Sequence, residues 1–244
     1  MIKAKIKNID ISGDSLDSIH PREKNNASYH ATISIGVEDE DSSDYFELHI
    51  CTPKYLELDC RKRNNWINNT LIINEWDSES IENVIKEKIE GMTAGTWLDL
   101  SEKIGKLIEW QFEDYEINKN IENYHPINAE VKNIDIIKEY LNSINPNEKD
   151  FFCIDIVFTV GTPEKDNSNY FIISICSPRW IEKFCKSKEI WANNMLVVPK
   201  WDPESIKCTI QQKVESMRAE TWDKLATKIS RIARWEFEDF EDYI

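Results

Sequence analysis

The sequence repeats itself once, without a gap, at an offset of 125 residues. The phrase W-Q-F-E-D-Y-E, which begins at Trp110, returns as W-E-F-E-D-F-E at Trp235. Solenoid repeats are only about 20–50 residues long, so a period of this length predicts that each copy is a compact domain with its own core. We therefore predict two tandem homologous domains, at residues 1–118 and 126–244, joined by a polar linker at 119–125.

Strands are predicted in the first part of each copy. Residues 2–11 read as the first strand, and the alternation of apolar and polar residues over 29–37 indicates the second. Apolar residues at every other position of 46–50 indicate a third strand, which an acidic loop joins to the second as a hairpin. The short apolar segment 70–75 is typical of a buried strand.

Helix-start signals follow these strands. Thr52 with Pro53 marks a short helix, because an N-cap hydroxyl precedes a proline at the first helical position. Asp77 and Thr96 mark the N-caps of two longer helices. The same signals recur at Ser177-Pro178, Asp202 and Thr221. Grouped strands followed by helices predict an α+β fold, in which two longer helices and one short helix pack on a largely antiparallel sheet in each domain.

The aromatic residues of the repeat are predicted to fill the cores. Large aromatic residues that recur at equal spacing are more typical of a core than of a stacking platform for sugars or bases. If the W-x-F-E-D phrase is extended, its Trp, Phe and Asp side chains point inward and its Glu side chain points outward. The residues with a predicted structural role are Trp76, Asp77, Trp97, Trp110, Phe112, Asp114, Trp201, Asp202, Trp222, Trp235, Phe237 and Asp239.

Charge and hydropathy limit the environment and the ligands. The formal net charge of −15 argues against direct nucleic-acid binding, which uses Lys and Arg clusters, and favours fast encounter with a basic partner. No stretch approaches the roughly 18 apolar residues of a membrane span, and the first residues lack the apolar run of a signal peptide. We therefore expect a cytoplasmic protein with no membrane contact. The six cysteines show no metal-site spacing and are expected to be reduced thiols.

Reactive residues do not recur as a constellation. None of the four histidines faces a histidine in the other copy. The repeated pairs Cys51/Cys176 and Cys60/Cys185 occupy apolar positions that are typical of core packing. The acidic run begins like a calcium-binding EF-hand loop at Asp39, but it lacks the glycine and the final glutamate of that loop. With no glycine-rich phosphate loop either, we predict no enzyme activity, no catalytic residues, no metal site and no cofactor.

A set of ordered phrases recurs in both copies. In the first copy these are F-E-L-H-I-C-T-P-K-Y-L from Phe46, L-I-I-N-E-W-D from Leu71, T-W from Thr96, and the phrase at Trp110. The second copy repeats them as C-S-P-R-W from Cys176, and at Trp201-Asp202, Thr221-Trp222 and Trp235. This pattern resembles the immunity protein 8 family of bacterial polymorphic toxin systems. The resemblance implies a small α+β protein that binds and neutralises a cognate or neighbouring toxin domain, without catalysis of its own.

Acidic side chains are the candidates for contact with such a toxin, and they favour a basic toxin surface as the partner. The first 125 residues hold 14 Lys and Arg against 25 Asp and Glu, whereas the remainder holds 16 against 20. We therefore expect the first copy to attract a basic partner more strongly. An ordinary solvated hairpin loop is the alternative for the run 38–44. The candidate partner-binding residues are Glu38, Asp39, Glu40, Asp41, Asp44, Glu113, Glu236 and Glu238.

Two other functions stay open on the sequence alone. The two copies could form a bivalent interaction or scaffold module, with an avidity set by the linker. A carboxylate-based sugar-processing or sugar-binding protein could use Glu113-Asp114 or Glu238-Asp239 beside a tryptophan.

Overall fold

The structure is a computed structural model that describes residues 1–62, 64–111, 126–136, 149–163 and 167–237. The chain divides into two compact units, and each of them draws on both copies of the repeat. Unit 1 contains Met1–Leu56, Asn69–Lys119 and Glu182–Ala192, and unit 2 contains Glu57–Asn68, Asn120–Ile181 and Asn193–Ile244. The predicted linker and the boundary at residue 118 lie outside the described residues and stay predictions.

Unit 1 is built on an eight-stranded sheet. Its centre is an antiparallel arrangement of β1 (Ile2–Ile11), β3 (Ser28–Val37) and β4 (Ser43–Cys51), whose alternating apolar residues give each strand one face to bury. The shorter strands are β2 (Asp14–Ser15), β6 (Thr70–Ile72), β7 (Thr93–Ala94), β8 (Glu109–Trp110) and β13 (Ile190–Ala192). The order across the sheet is β13-β6-β4-β3-β1-β2, with β7 paired to β1 and β8 paired to β4. Only β6 runs parallel to its neighbour β4 within this set of pairs.

Three α-helices follow the strands in the first copy of the repeat. They are α1 (Pro53–Cys60), α2 (Ser78–Glu90) and α3 (Trp97–Gly105). Both predicted N-caps are confirmed, because the Asp77 carboxylate accepts the Ser80 N–H at 3.2 Å and the Thr96 hydroxyl accepts the Asp99 N–H at 3.2 Å. The division into units falls within α1, so that Pro53–Leu56 belong to unit 1 and the last turn belongs to unit 2.

The core of unit 1 joins one face of the sheet to α2 and α3. Ile33, Phe46 and Leu48 of the sheet are fully buried in it, together with Ile85 of α2 and Ile104 of α3. The apolar stripe of each helix therefore meets the apolar side of the strands. The opposite side of β1, β3 and β4 carries the residues described below as the outer face.

Unit 2 repeats this plan with a six-stranded sheet and a separate two-stranded one. The larger sheet has the order β10-β11-β12-β14-β5, with β16 paired to β12, and the smaller sheet pairs β9 with β15. The strands are β5 (Asn65–Ile67), β9 (Ile127–Asn128), β10 (Glu130–Asp135), β11 (Cys153–Gly161), β12 (Ser168–Cys176), β14 (Met195–Val197), β15 (Arg218–Ala219) and β16 (Arg234–Trp235). The helices are α4 (Pro178–Cys185), α5 (Pro203–Glu215) and α6 (Trp222–Ser230). Ile206, Ile210 and Leu225 are buried against the sheet.

The predicted fold class is confirmed. Each copy contributes a short helix and two longer ones, and its long strands pair in antiparallel fashion. The strands at 65–67 and 190–192 were not predicted from the sequence, and each of them lies in the unit of the opposite copy. No helix among the described residues is long and apolar enough to cross a membrane.

The cysteines follow the predicted pattern with one exception. Cys51, Cys60 and Cys185 are buried, whereas Cys208 is exposed. The expectation that all six thiols are reduced is wrong for Cys153 and Cys176, which the structure joins as a disulfide. These two residues lie directly opposite each other on the antiparallel strands β11 and β12, and this cross-strand register could not be seen in the spacing of the cysteines along the sequence.

Candidate functional site

The repeated tryptophans Trp110 and Trp235 are the last residues of the short strands β8 and β16, which occupy equivalent places in the two units. The Trp110 ring stacks on Phe46 with centroids 6.4 Å apart, and the Trp235 ring stacks on Phe171 at 6.4 Å. Both rings are half-buried and pack against the core of their own unit. Their place in the fold supports the core-filling role that the repeat predicted.

Asp44 lies beside Trp110 and serves an internal purpose. Its Oδ2 atom accepts the Nε1–H of Trp97 at 2.9 Å and the Nε1–H of Trp110 at 3.2 Å. The residue is half-buried, and hydrogen bonds from two indole groups to one carboxylate are charge-assisted. Asp44, which the sequence suggested as a toxin contact, thus orders the tryptophans of unit 1.

The equivalent positions of unit 2 hold different residues with different hydrogen bonds. Asn169 stands where unit 1 has Asp44, and Glu236 stands where unit 1 has Gln111. The Glu236 Oε1 atom accepts the Tyr170 N–H at 2.8 Å and the Asn169 Nδ2–H at 3.3 Å. The Trp235 Nε1–H is buried and finds no acceptor within the described part of the chain. A carboxylate and an amide have therefore exchanged positions between the copies, and Glu236 makes these hydrogen bonds within its own unit.

The other predicted structural residues have varied environments. Trp76 is 2% exposed and donates its Nε1–H to the Ile19 carbonyl at 3.1 Å. Trp201 packs edge-on against Phe152, and the Asp202 carboxylate caps α5 at the Ser205 N–H. Trp222 is half-buried against the core of unit 2.

The extended conformation assumed for the W-x-F-E-D phrase is wrong at its second aromatic residue. The strand β16 ends at Trp235 and the chain turns at once, so Phe237 is 42% exposed instead of inward-pointing. Its ring still meets the edge of Trp235, with centroids 5.7 Å apart. Phe112, Glu113, Asp114, Glu238 and Asp239 lie outside the described residues.

The acidic hairpin, which we define as Glu38–Asp41, lies at the tip that joins β3 to β4. All four of its residues are exposed. Glu38 is 3.8 Å from the ammonium of Lys3, and the Ser42 hydroxyl donates to the Glu40 carboxylate at 3.2 Å. These contacts are solvent-exposed and leave the hairpin with a strongly negative surface.

A second acidic feature lies on the outer face of unit 1, the side of its sheet opposite the core. Asp10, Thr32, Glu47 and Glu109 stand directly opposite one another across β1, β3, β4 and β8. We call this set the acidic row. The Thr32 hydroxyl donates to the Glu47 carboxylate at 2.8 Å, and both glutamates are exposed. The next outward residue of β4 towards the hairpin tip is Tyr45, which is 53% exposed.

The sequence alone did not indicate Asp10, Tyr45, Glu47 and Glu109 as surface candidates. Their alignment depends on the register between four strands, and the pairing of β4 with β8 joins residues far apart in the sequence. The available signal was an acidic residue at an outward position of a predicted strand. This signal does not show which residues of the other strands lie beside it.

The same row in unit 2 has a different character. Asp135, Val157, Ile172 and Arg234 occupy its four positions, so two of the acidic side chains are replaced by an aliphatic side chain and a cation. Two features are nevertheless shared. Tyr170 is 52% exposed, as Tyr45 is in unit 1. In both units an Asn amide donates to the Asp of the row, at 2.6 Å from Asn8 and at 2.8 Å from Asn133.

Unit 2 also has a groove of about 780 Å³ beside the start of α6. It is lined by Asn128, Thr162, Asn169, Thr221 and Trp222, among others. Its lining is mostly uncharged and contains no pair of facing carboxylates at the described positions. No group of three or more His, Cys, Asp or Glu residues within the described ranges is arranged to hold a metal ion.

The buried thiols have a packing role. Burial raises the pKa of Cys60 to about 12 and that of Cys185 to about 12, since the thiolate would lose its hydration. Each thiol points at a backbone carbonyl 3.5 Å away, that of Val197 for Cys60 and that of Ile72 for Cys185. A thiol in this state is a poor nucleophile near neutral pH.

Comparison with known proteins gives one match. A family model described as Immunity protein 8 matches residues 4–115 and again residues 129–240, which confirms the resemblance of the sequence phrases in both copies. No curated protein and no solved structure matched the chain.

Proposed function

The chain belongs to the immunity protein 8 family, and we propose that it protects a bacterial cell by binding a toxin domain and blocking it, without catalysis of its own. The observation that carries this proposal is the negative surface of unit 1, in which the acidic hairpin joins β3 to β4 and the acidic row crosses these same two strands next to Tyr45. The toxin surface that fits it is basic.

The arrangement of Glu47 and Glu109 supports a binding role. Like charges directly opposite each other in an antiparallel pair destabilise a sheet. Among the described residues neither glutamate forms an ion pair with a lysine or arginine. The repulsion between the two glutamates lowers the stability of the free protein, and a cationic group of a partner would relieve it. Such an arrangement is typical of a binding surface.

The exposed tyrosine adds a second element of recognition. Tyrosine is enriched at binding hot spots because its ring buries a large area with little loss of side-chain entropy. Tyr45 lies on β4, the strand that leaves the acidic hairpin, two residues before Glu47. A lysine or arginine of the partner could pair with Glu47 while its stem packs on the ring.

Charge differences between the copies support unit 1 as the main contact surface. In unit 2 the equivalent row keeps Asp135 but has Ile172 and Arg234 in place of the two glutamates, which weakens its attraction for a cation. The net charge of −15 for the whole chain adds long-range steering, which raises association rates with a basic partner at low salt.

The direct test is protection of growth. Each toxin domain encoded beside this gene is expressed in a sensitive host with and without the chain, and we expect one of them to be neutralised. The variant Glu47→Lys/Glu109→Lys should lose protection, whereas Glu204→Lys/Asp223→Lys, which changes the same number of exposed acids in unit 2, should keep it. Failure against every neighbouring toxin, or equal protection by both variants, would contradict the proposal.

A bivalent interaction module is the second candidate, and the shared outer-face residues favour it. Tyr45 and Tyr170 are equally exposed, and the Asn–Asp pairs Asn8–Asp10 and Asn133–Asp135 are the same in both units. Calorimetric titration of the toxin into the chain separates the two candidates, because a bivalent module binds two equivalents. In that case both Tyr45→Ala and Tyr170→Ala would weaken binding, whereas the leading proposal expects an effect of Tyr45→Ala alone.

A further inference from the structure

Each unit is completed by an edge strand from the opposite copy of the repeat. In unit 1 the strand β13 pairs in antiparallel fashion with β6, with Ile190, Trp191 and Ala192 opposite Ile72, Leu71 and Thr70. Ala192 is 1% exposed, and Trp191 packs against the core of unit 1. The Cys185 thiol donates to the Ile72 carbonyl in the same place.

Unit 2 shows the reciprocal arrangement. The strand β5 pairs with β14, with Asn65, Trp66 and Ile67 opposite Val197, Leu196 and Met195. Trp66 packs against the core of unit 2, where it is the counterpart of Trp191 at the offset of the repeat. Two side-chain bonds add to the pairing, from Asn64 Nδ2–H to the Thr209 hydroxyl at 3.0 Å and from the Asn194 N–H to the Asn68 Oδ1 at 3.3 Å.

The links that join β5 to β6 and β13 to β14 have the length and composition of β-hairpin turns, although neither link forms a hairpin here. Only Asn68 and Asn69 separate β5 from β6, and only Asn193 and Asn194 separate β13 from β14. A two-residue link rich in asparagine ordinarily folds neighbouring strands back on each other. Here the strands on the two sides of each link pair elsewhere instead, and Asn69 and Asn194 hold left-handed φ values of 48° and 54°.

We propose that the two copies have exchanged the first strand of this hairpin, so that neither copy is a self-sufficient domain. The second copy supplies β13 to the sheet of unit 1, and the first copy supplies β5 to the sheet of unit 2. The second copy is then required for unit 1 to be complete, whichever unit contacts a partner. This gives a structural reason why a chain of this kind keeps both copies, and it holds independently of the toxin-binding proposal.

The matched variants Trp66→Ala and Trp191→Ala test the exchange in the intact chain. Hydrogen exchange followed by mass spectrometry reports local opening, segment by segment. Trp191→Ala should speed exchange about tenfold or more in peptides that cover β6, with β14 unaffected, and Trp66→Ala should do so in peptides that cover β14, with β6 unaffected. The opposite pattern, with Trp66→Ala opening β6 and Trp191→Ala opening β14, is what closed hairpins would give and would overturn the proposal.

A second measurement needs no core substitution. A protease site is inserted between residues 119 and 125, and the purified full chain is cut there and passed over a size-exclusion column under native conditions. Exchanged strands keep the two fragments together as one species, which we expect. Separation of the two fragments, each folded by circular dichroism, would overturn the proposal even if either tryptophan variant failed to fold.

Discussion

Replacing Glu47 and Glu109 together by glutamine should strengthen the fold and weaken the binding of the toxin. The two carboxylates face each other across β4 and β8, and cross-strand side chains at such positions are about 5 Å apart at Cβ. Two unit charges at that distance repel by roughly 0.8 kcal/mol in water before salt screening. Glutamine keeps an oxygen that can accept the Thr32 hydroxyl, so the main change is loss of the repulsion. We expect the free energy of unfolding to rise by about 0.5 kcal/mol.

The binding side of the same prediction follows from charge pairing. Loss of two exposed carboxylates that face a cationic partner costs about 0.2–1 kcal/mol each, and the loss acts mainly on the association rate. Urea denaturation measures the stability, and stopped-flow mixing with the toxin at two salt concentrations measures the association rate. Glu204→Gln/Asp223→Asn in unit 2 is the control and should change neither the rate nor its salt dependence. A double variant of unit 1 that is less stable and binds with an unchanged rate would refute the reasoning.

Three further predictions concern stability and thiol reactivity. Asp44→Asn should lower the free energy of unfolding by about 1–2 kcal/mol, because two indole N–H groups lose a charged acceptor, and an unchanged urea midpoint would contradict this assignment. At pH 8 iodoacetamide should label Cys208 rapidly and leave Cys60 and Cys185 unmodified in the folded chain, and early labelling of either buried thiol would contradict their packing role. Because folding raises the pKa of these two thiols from 9.0 to about 12, stability should be unaffected below pH 9 and decline from pH 9 towards pH 12. Cys60→Ala/Cys185→Ala should reduce that decline, which a urea titration at each pH measures.

Local signals in the sequence predicted local structure well. Asp77 and Thr96 cap α2 and α3 as expected, since an N-cap depends only on the next three residues of the chain. The strands β3 and β4 follow the alternation of their apolar residues for a similar reason. Because the sequence repeats, the same helix caps and strands could be predicted at the equivalent positions of the second copy.

Features that depend on pairing between distant segments could not be predicted. The strands β5 and β13 are three residues long. Each could pair with the next strand of its own copy or with a strand of the other copy, and neither composition nor periodicity shows which pairing forms. The acidic row likewise needs the register of four strands. The hydrogen bonds of Asp44 and Glu236 could not be predicted either, because a sequence shows charge but not the indole and backbone N–H groups that the fold brings to them.

The prediction for Phe237 failed for a different reason. Inward and outward alternation holds only while a strand continues, and β16 ends at Trp235, before the chain reaches Phe237. At this point the Glu236 carboxylate accepts the Tyr170 N–H, which the backbone carbonyl of a longer strand would otherwise accept.

The most direct test of the toxin-neutralising proposal is a hydrogen-exchange footprint of the full chain with its toxin. We expect peptides that cover Glu38–Glu47 and Glu109 in unit 1 to gain protection in the complex, with little change in the equivalent hairpin of unit 2. Protection confined to unit 2, with the acidic hairpin and the acidic row exchanging as in the free chain, would contradict the proposal.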